Sequence, residues 1–265
     1  MTWGGGDFVG GLAARRISHF QVVALAALSG LAVFVPIGIL RGEGLPSTSS
    51  ALWALAAGLS GAVGVAALYA GLARGSAAVI APTATVIGAS LPVILSGLTS
   101  GLPRVNQGAG MLLGLAGIWL VTRPTGPAAP LRRTTLLQAV TAGLGFGGYF
   151  ILIAQIDPGP VFLPLSVGKL AALLFSSVVL LAGGHAMPAP RSSPLALLAG
   201  VLDGFGNLFY LLAAQQLGIA VGAVLSSMAP GATVVLSVLI QHEPLRRAQA
   251  LGVVCCVAAV GLISL

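Results

Sequence analysis

Charged side chains are scarce in this sequence. Only 6% of its 265 residues are Asp, Glu, Lys or Arg, whereas about a quarter of the residues of an ordinary soluble domain are charged. Hydrophobic residues make up 57% of the chain, and its mean hydropathy is +1.05. These proportions exclude a water-soluble globule and indicate a membrane protein.

Cysteine and histidine are also few, which excludes several kinds of site. Cys255 and Cys256 are adjacent in the last apolar run, where neighbouring side chains diverge around a helix, so they form no disulfide framework and no metal site. His19, His185 and His242 share no metal-ligand spacing, and the chain has no glycine-rich phosphate loop and no nucleophile elbow. We therefore expect neither an enzyme nor a protein with a metal or cofactor.

Long apolar runs are what the sequence has in abundance. A helix needs about 20 apolar residues to cross a bilayer. The opening segment before Arg15 lacks a positively charged start, which argues against a cleavable signal peptide and makes it a first helix. With it, the chain is predicted to form ten transmembrane helices in a multi-pass protein of the cell (inner) membrane, surrounded by lipid. The other nine runs lie at 19–40, 51–73, 76–100, 105–122, 135–156, 160–183, 194–215, 218–240 and 248–265.

The net charge of +7 comes from arginines at the ends of these runs. In that position they act as determinants of membrane topology, so we expect no nucleic-acid partner. Loops after odd-numbered helices carry most of them, and the positive-inside rule would then place both termini outside. The odd-numbered loops hold Arg15, Arg16, Arg74, Arg123, Arg132, Arg133, Arg191, Arg246 and Arg247, and the even-numbered loops hold Arg41 and Arg104.

The two halves of the chain repeat each other. At an offset of 142 residues, "GGDF" at 5–8 aligns with "GGYF" at 147–150, and two further blocks match in the same ungapped register. Each half then holds five helices, and because five is odd the second half must cross the membrane in the opposite sense. Such inverted repeats are common in secondary transporters, whose substrate site lies between the halves. We predict a first repeat at 1–123, a linker at 124–134 and a second repeat at 135–265, arranged around a central cavity.

Short motifs stand at corresponding places of the chain, namely Trp3, Gly4, Asp7 and Phe8 at the start, Pro92, Arg104, Gln107 and Gly110 in the first repeat, and Pro230, Glu243, Arg246, Gln249 and Gly252 in the second. These motifs and the two five-helix repeats resemble the EamA family of the drug/metabolite transporter superfamily. One departure is "SGLPR" in the first repeat, where the family usually has Gly-Glu. The resemblance implies export or exchange of small metabolites, such as amino acids and their analogues. It also implies cytoplasmic termini, against the arginine distribution, so orientation stays open.

Three ionisable residues fall near the middle of predicted helices: Asp7, Lys169 and Asp203. A charge at the bilayer centre costs about 2.5–3.5 kcal/mol on insertion scales, so such residues face a cavity or a partner. They are therefore candidates for substrate binding or proton coupling. The alternative is a structural ion pair between Lys169 and Asp203. The matched positions in the first repeat hold Ala27 and Gly61, so symmetric packing does not require these charges.

A site with a cation and carboxylates fits an amino acid zwitterion, whose carboxylate Lys169 would bind and whose ammonium an aspartate would bind. For a neutral substrate, an aspartate could instead carry a proton. Asn207 and Tyr210 follow Asp203 at i+4 and i+7 on one helical face, and Asn207 is equally well explained as a satisfied interhelical amide.

Three more aromatic residues, Tyr69, Tyr149 and Trp3, could line the cavity or anchor helices at the membrane interface. For Trp3, close to the chain start, we expect the anchor.

Four prolines interrupt predicted helices and could act as hinges or as static kinks, namely Pro82 and Pro92 in the fourth, Pro164 in the seventh and Pro230 in the ninth.

The sequence therefore predicts an all-α membrane protein that exports small, amino-acid-like molecules by alternating access. One alternative is a drug or nucleotide-conjugate exporter of the same fold, favoured if the cavity is aromatic and its charges are paired. A remote alternative is a membrane scaffold without transport activity. Because two fused repeats supply both halves of the pathway, a monomer would suffice.

Overall fold

The computed structural model describes residues 2–73, 77–99, 101, 104–121, 133–229 and 247–264. All regular structure within these ranges is helical, with a short 3-10 turn at Pro190–Ser192. Pro230, Glu243 and most of the predicted linker lie outside them. The α-helices are α1 (Thr2–Ala14), α2 (His19–Leu40), α3 (Thr48–Ala73), α4 (Ala77–Thr99), α5 (Val105–Val121), α6 (Arg133–Ile153), α7 (Phe162–Ala182), α8 (Pro194–Leu217), α9 (Ile219–Ser226) and α10 (Arg247–Ser264).

Five of these helices, α2, α3, α6, α7 and α8, are long and apolar enough to cross a membrane. Shorter apolar stretches lie in α4, α5 and α10, and α9 has eight described residues. The prediction of an all-helical membrane protein is confirmed. The helices follow each other in the order of the ten predicted segments. Among the described residues, the length and composition needed to cross a membrane are found in the five helices named above.

The packing of the helices is nearly symmetric between the two halves. Helix α1 packs on α8 as α6 packs on α3, and α2 packs on α8 as α7 packs on α3. The helices at equivalent places also contact each other, α2 with α7, α4 with α9 and α5 with α10. Exchanging α1–α5 with α6–α10 preserves these contacts. The two halves are therefore interleaved around an approximate two-fold axis.

Hydrogen bonds at both ends of α2 and α7 give their relative direction. At the start of α2, Gln21 Nε2 donates to the carbonyl oxygen of Ala186, just beyond the end of α7, at 3.2 Å. Beyond the end of α2, the carboxylate of Glu43 accepts hydrogen bonds from the backbone N–H groups of 161, 162 and 163, at 3.0, 3.1 and 2.9 Å, where α7 begins. These equivalent helices thus run antiparallel, as an inverted repeat requires.

Two helix crossings depend on glycine at symmetric positions. A Cβ atom on Gly58 of α3 would overlap the backbone of Gly168 in α7. At the equivalent place 142 residues later, a Cβ atom on Gly200 of α8 would overlap the backbone of Ala26 in α2. Small residues let membrane helices approach this closely. The two crossings hold each half against the other.

The prolines are less disruptive than the sequence predicts. Helix α4 continues through both Pro82 and Pro92, and Pro92 is fully buried. The predicted interruption at Pro164 is wrong, because α7 begins only at Phe162. Pro164 lies in the first turn, where backbone N–H groups have no intrahelical acceptor to lose. Pro36, which was not among the predicted interruptions, lies inside α2.

Candidate functional site

A cavity of about 150 Å³ lies between the two halves, and eight helices contribute to its wall. The described parts of α5 and α10 do not reach it. Such a volume holds more than a single water molecule and suits a small organic ligand. Seven of the predicted binding residues line it, namely Trp3, Asp7, Tyr69, Tyr149, Lys169, Asp203 and Asn207.

Asp203 of α8 is the centre of a hydrogen-bonded network on one wall of the cavity. Its Oδ2 atom forms an ion pair with the ammonium group of Lys169 on α7 and accepts a hydrogen bond from Asn207 Nδ2 at 3.2 Å. Its Oδ1 atom accepts a hydrogen bond from Trp3 Nε1 on α1 at 2.9 Å. The Lys169 side chain is 9% exposed and that of Asp203 is 33% exposed. The network thus joins three helices, and the ion pair foreseen as a structural alternative is present.

Trp3 is not an interfacial anchor, contrary to expectation. Besides the bond to Asp203, its ring packs on Phe150 of α6 and on Tyr210 of α8, with centroids 5.6 and 6.2 Å apart. The reason is that α1 packs along α8 from its first turn, so its N-terminal end lies beside the middle of α8. The indole therefore belongs to the cavity wall.

Asp7 has a different environment from Asp203. It lies one turn after Trp3, lines the cavity and is partly buried. Its carboxylate forms no hydrogen bond and no ion pair with the described residues, and Asp203 is near enough to repel it. Among the described lining residues there are two carboxylates and one ammonium group. When both carboxyl groups are ionised, one negative charge in the cavity is therefore uncompensated by these residues.

The three predicted tyrosines differ in their position and in their contacts. Tyr149 OH is buried and has no hydrogen-bond partner in the described part of the chain. Tyr69 is buried at the cavity, against Gly10 of α1. Tyr210, by contrast, is not among the residues that line the cavity. Its hydroxyl donates at 2.6 Å to the carbonyl oxygen of Phe150, in the last turn of α6, where carbonyls lack intrahelical donors.

Comparison with known proteins agrees with this arrangement. The sequence model of the EamA-like transporter family matches residues 1–123 and 133–265. The chain belongs to the EamA-like transporter family. Among solved structures, one titled "Crystal structure of protein" is 19% identical, with a TM-score of 0.73 over 98% of this chain and 94% of that chain. At this identity, the likeness shows a shared fold. None of the curated proteins that were compared matches the chain.

Membership of the EamA-like family makes the chain a membrane transporter and implies a small-molecule substrate. The cavity lies where inverted-repeat transporters bind their substrates, between the halves and near the middle of the helices. Within the described residues no group of three His, Cys, Asp or Glu side chains could hold a metal ion. The polar groups in this EamA-like cavity can bind a ligand by charge and hydrogen bonds.

Several lining residues of this EamA-like transporter were not found from the sequence. Phe146 and Phe150 of α6 contribute rings, and Thr85, Ser226 and Ser227 contribute hydroxyls. One signal was available for Phe150, because the repeat aligns it with the motif residue at position 8. The hydroxyl residues lie in apolar runs where no spacing distinguishes them from residues that face other helices.

Outside the cavity, one carboxylate has a perturbed pKa. Asp157, in the loop between α6 and α7, accepts hydrogen bonds from Ser47 Oγ at 2.7 Å and Ser50 Oγ at 2.8 Å. These hydroxyls stabilise the ionised form and lower the pKa of Asp157 below its usual value. The bonds tie the second repeat to the start of α3, at the membrane side where Glu43 holds the start of α7.

Proposed function

We propose that this EamA-like protein is a secondary transporter of the cell (inner) membrane that exports or exchanges small metabolites, with amino acids or their analogues as its substrates. The observation that supports this most is the cavity between the two halves, with Asp7, Lys169 and Asp203 on its wall. Ionisable residues inside a membrane are costly and mark substrate or ion pathways.

Alternating access follows from how the halves are joined. Both halves contribute to the cavity wall, so rocking one half against the other would open it to one side of the membrane at a time. The crossings at Gly58 and Gly200 would serve as contact points for this motion. The prolines of α4 and Pro230 remain candidates for the bending positions.

The polarity of the cavity supports amino acids as the substrate class. The carboxyl group of Asp7, which has no partner among the described residues, suits an ammonium group. Lys169 is paired with Asp203 but also lines the cavity, so its ammonium group could contact a substrate carboxylate as well. The small side chains at Gly58, Gly61 and Ala27 leave room beside these groups.

A second candidate function is export of drugs or nucleotide conjugates, and two observations favour it. Lys169 is already paired with Asp203, and the wall carries the rings of Trp3, Phe146 and Tyr149. An apolar compound could stack on these rings without using the charges. The uncompensated carboxylate of Asp7 favours a cationic compound over an anionic conjugate.

Counterflow uptake into proteoliposomes tests the proposed function. Wild type would be compared with Lys169→Ala and Asp203→Ala against a panel of labelled amino acids, each variant checked for folding by its melting temperature. Asp157→Asn is the matched control, because it removes a carboxylate outside the cavity. We expect uptake of particular amino acids by wild type and the control, and loss of uptake in folded cavity variants.

Uptake of no amino acid by folded wild type would contradict the amino acid proposal and favour the drug exporter. If the variants lose stability but, when folded, keep wild-type uptake, the ion pair is structural and does not contact the substrate.

A further inference from the structure

We infer that the cavity recognises its substrate by a protonated amine, held between the carboxylate of Asp7 and the hydroxyl of Tyr149, and that a substrate carboxylate is not required. This inference rests on the proposed transport of small molecules through the same cavity. The sequence predicted a site for both charges of an amino acid zwitterion, whereas this inference keeps a site for the ammonium group alone.

The first step is that Lys169 is engaged within the protein. Its ammonium group is paired with Asp203, whose oxygens also accept hydrogen bonds from Trp3 and Asn207. A substrate carboxylate would have to compete with Asp203 for Lys169. Removing Lys169 from Asp203 would leave a partly buried carboxylate unpaired, which is costly. The network therefore satisfies its own charges and does not demand an anionic ligand.

The second step is that the groups left unsatisfied are a carboxyl group and a hydroxyl. Asp7 has no hydrogen bond or ion pair with the described residues, and Tyr149 OH is buried without a hydrogen-bond partner among them. Buried polar groups in proteins are normally hydrogen-bonded, and an unsatisfied one calls for a missing partner. An ammonium group supplies three donors and a positive charge, which are what both oxygens lack.

The third step is the placement of the two residues. Asp7 and Tyr149 stand at equivalent positions of the two repeats, 142 residues apart, and both line the cavity. The approximate two-fold axis passes between the halves, so equivalent residues reach the cavity from opposite sides. Tyr149 packs against Gly61 of α3, and at the equivalent place Asp7 lies near Asp203 of α8. A ligand bound between Asp7 and Tyr149 would contact both halves.

The rest of the cavity fits an apolar substituent on the amine. The rings of Trp3, Phe146 and Phe150 line it together with small aliphatic side chains. Aromatic faces also attract cations within about 6 Å. Amides and esters of apolar amino acids combine a cationic amine with an uncharged remainder. We expect them to bind better than the parent zwitterions, and N-acetylated acids, which lack the cation, to bind poorly.

Equilibrium binding to the purified full-length protein tests this inference. The probes are leucine and phenylalanine, each as the free acid, the amide and the N-acetyl acid, measured by calorimetry at pH 8. For wild type we expect the amides to bind at least tenfold more tightly than the N-acetyl acids. In Asp7→Asn this preference should fall by tenfold or more, and in Tyr149→Phe by a few fold. Asp7→Glu, which keeps the charge, should restore part of it.

Two matched controls separate recognition from stability. Asp157→Asn makes the same chemical change as Asp7→Asn at a carboxylate outside the cavity. Tyr210→Phe removes a tyrosine hydroxyl that is bonded to Phe150 and does not line the cavity. Both should keep the wild-type preference for amides.

Equal affinity of wild type for amides and N-acetyl acids, or an unchanged preference in folded Asp7→Asn, would overturn the inference. Absence of amine binding to folded wild type would overturn it as well. The proposed transport and the amine recognition can fail independently. Counterflow of N-acetyl acids or uncharged compounds would support the proposed transport but contradict recognition of the amine. Amines that bind with the expected preference but are never transported would keep the recognition site and contradict the proposed transport.

Discussion

The two repeats are alike in how their helices cross and unlike in what they present to the cavity. At the crossings, Gly58 meets Gly168 in the same way as Gly200 meets Ala26. In the wall, the equivalent positions hold unlike residues, Ala27 against Lys169 and Gly61 against Asp203. Close backbone contact constrains both repeats equally, because any larger side chain would overlap a backbone. Positions that face the cavity are free of that constraint, and it is there that the symmetry is broken by charge.

The largest expected effect comes from breaking the charged network in the second repeat. Asp203→Ala leaves the ammonium group of Lys169 buried without its partner, and we expect it to destabilise the protein by about 3 kcal/mol. This is the lower end of the range for buried pairs, because the Asp203 side chain is 33% exposed. Denaturation in detergent measures the loss.

The double variant Lys169→Met with Asp203→Ala should recover much of that stability, since no unpaired charge remains. If the double variant is as unstable as the single one, the loss comes from packing or from the bond to Trp3, and the ion pair is not its cause.

The second largest expected loss of stability comes from substitutions at the two symmetric helix crossings. Gly58→Ala and Gly200→Ala each place a methyl group against backbone atoms that cannot rotate away. We expect each variant to lose about 1–3 kcal/mol of stability, the usual cost of overpacking, and the two losses to be similar. Gly97→Ala is the control, because a Cβ atom at Gly97 would meet no other atom within 4 Å. Melting temperatures in one detergent provide the measurement. A large difference between the two crossings would contradict their equivalence.

The two membrane sides should differ in how strongly the repeats are joined. Glu43 accepts three backbone hydrogen bonds at the start of α7, while Gln21 donates one to Ala186 beyond its end. We expect Glu43→Ala to cost about 1–2 kcal/mol, as for loss of a helix cap with a favourable charge. Gln21→Ala should cost about 0.5–1 kcal/mol, because it removes the exposed bond to Ala186 and the bond that Gln21 Oε1 accepts from the Ser18 N–H at the start of α2. Denaturation measures both losses, and a loss for Gln21→Ala as large as that for Glu43→Ala would contradict the expected difference.

The smallest effect concerns Asp157 and appears only in acid. Its folded pKa is lowered by the hydroxyls of Ser47 and Ser50. Its contribution to stability is therefore complete above its unfolded pKa, about 3.9, and is lost as pH falls through the lower folded pKa. Wild type should lose slightly more stability than Asp157→Asn between about pH 5 and pH 2.5. Melting curves of both proteins across this range test it, and parallel curves would exclude a contribution from Asp157.

Hydrophobic runs and the repeat register predicted the helices well, because both depend on local sequence. Helix α2 begins and ends where its apolar run does, at His19 and Leu40. The expectation that Asp7, Lys169 and Asp203 face a cavity followed from their charge inside apolar runs, and all three line it. The sequence could not predict which groups pair with each other, because pairing depends on how α1, α7 and α8 are rotated. The bonds of Trp3 and Tyr210 could not be predicted for this reason, since each joins an atom of another helix.

The asymmetry of the wall bears on how many charges a transport pathway contains. A symmetric dimer of one five-helix chain would carry every side chain twice, so a lysine at the place of Lys169 would bring a second lysine across the axis. Two such pairs would crowd a cavity of about 150 Å³ with charge. In a single chain, Ala27 and Gly61 leave the opposite wall uncharged. Fusion of the repeats therefore permits an odd number of charges in the pathway, which a homodimer of identical repeats cannot have.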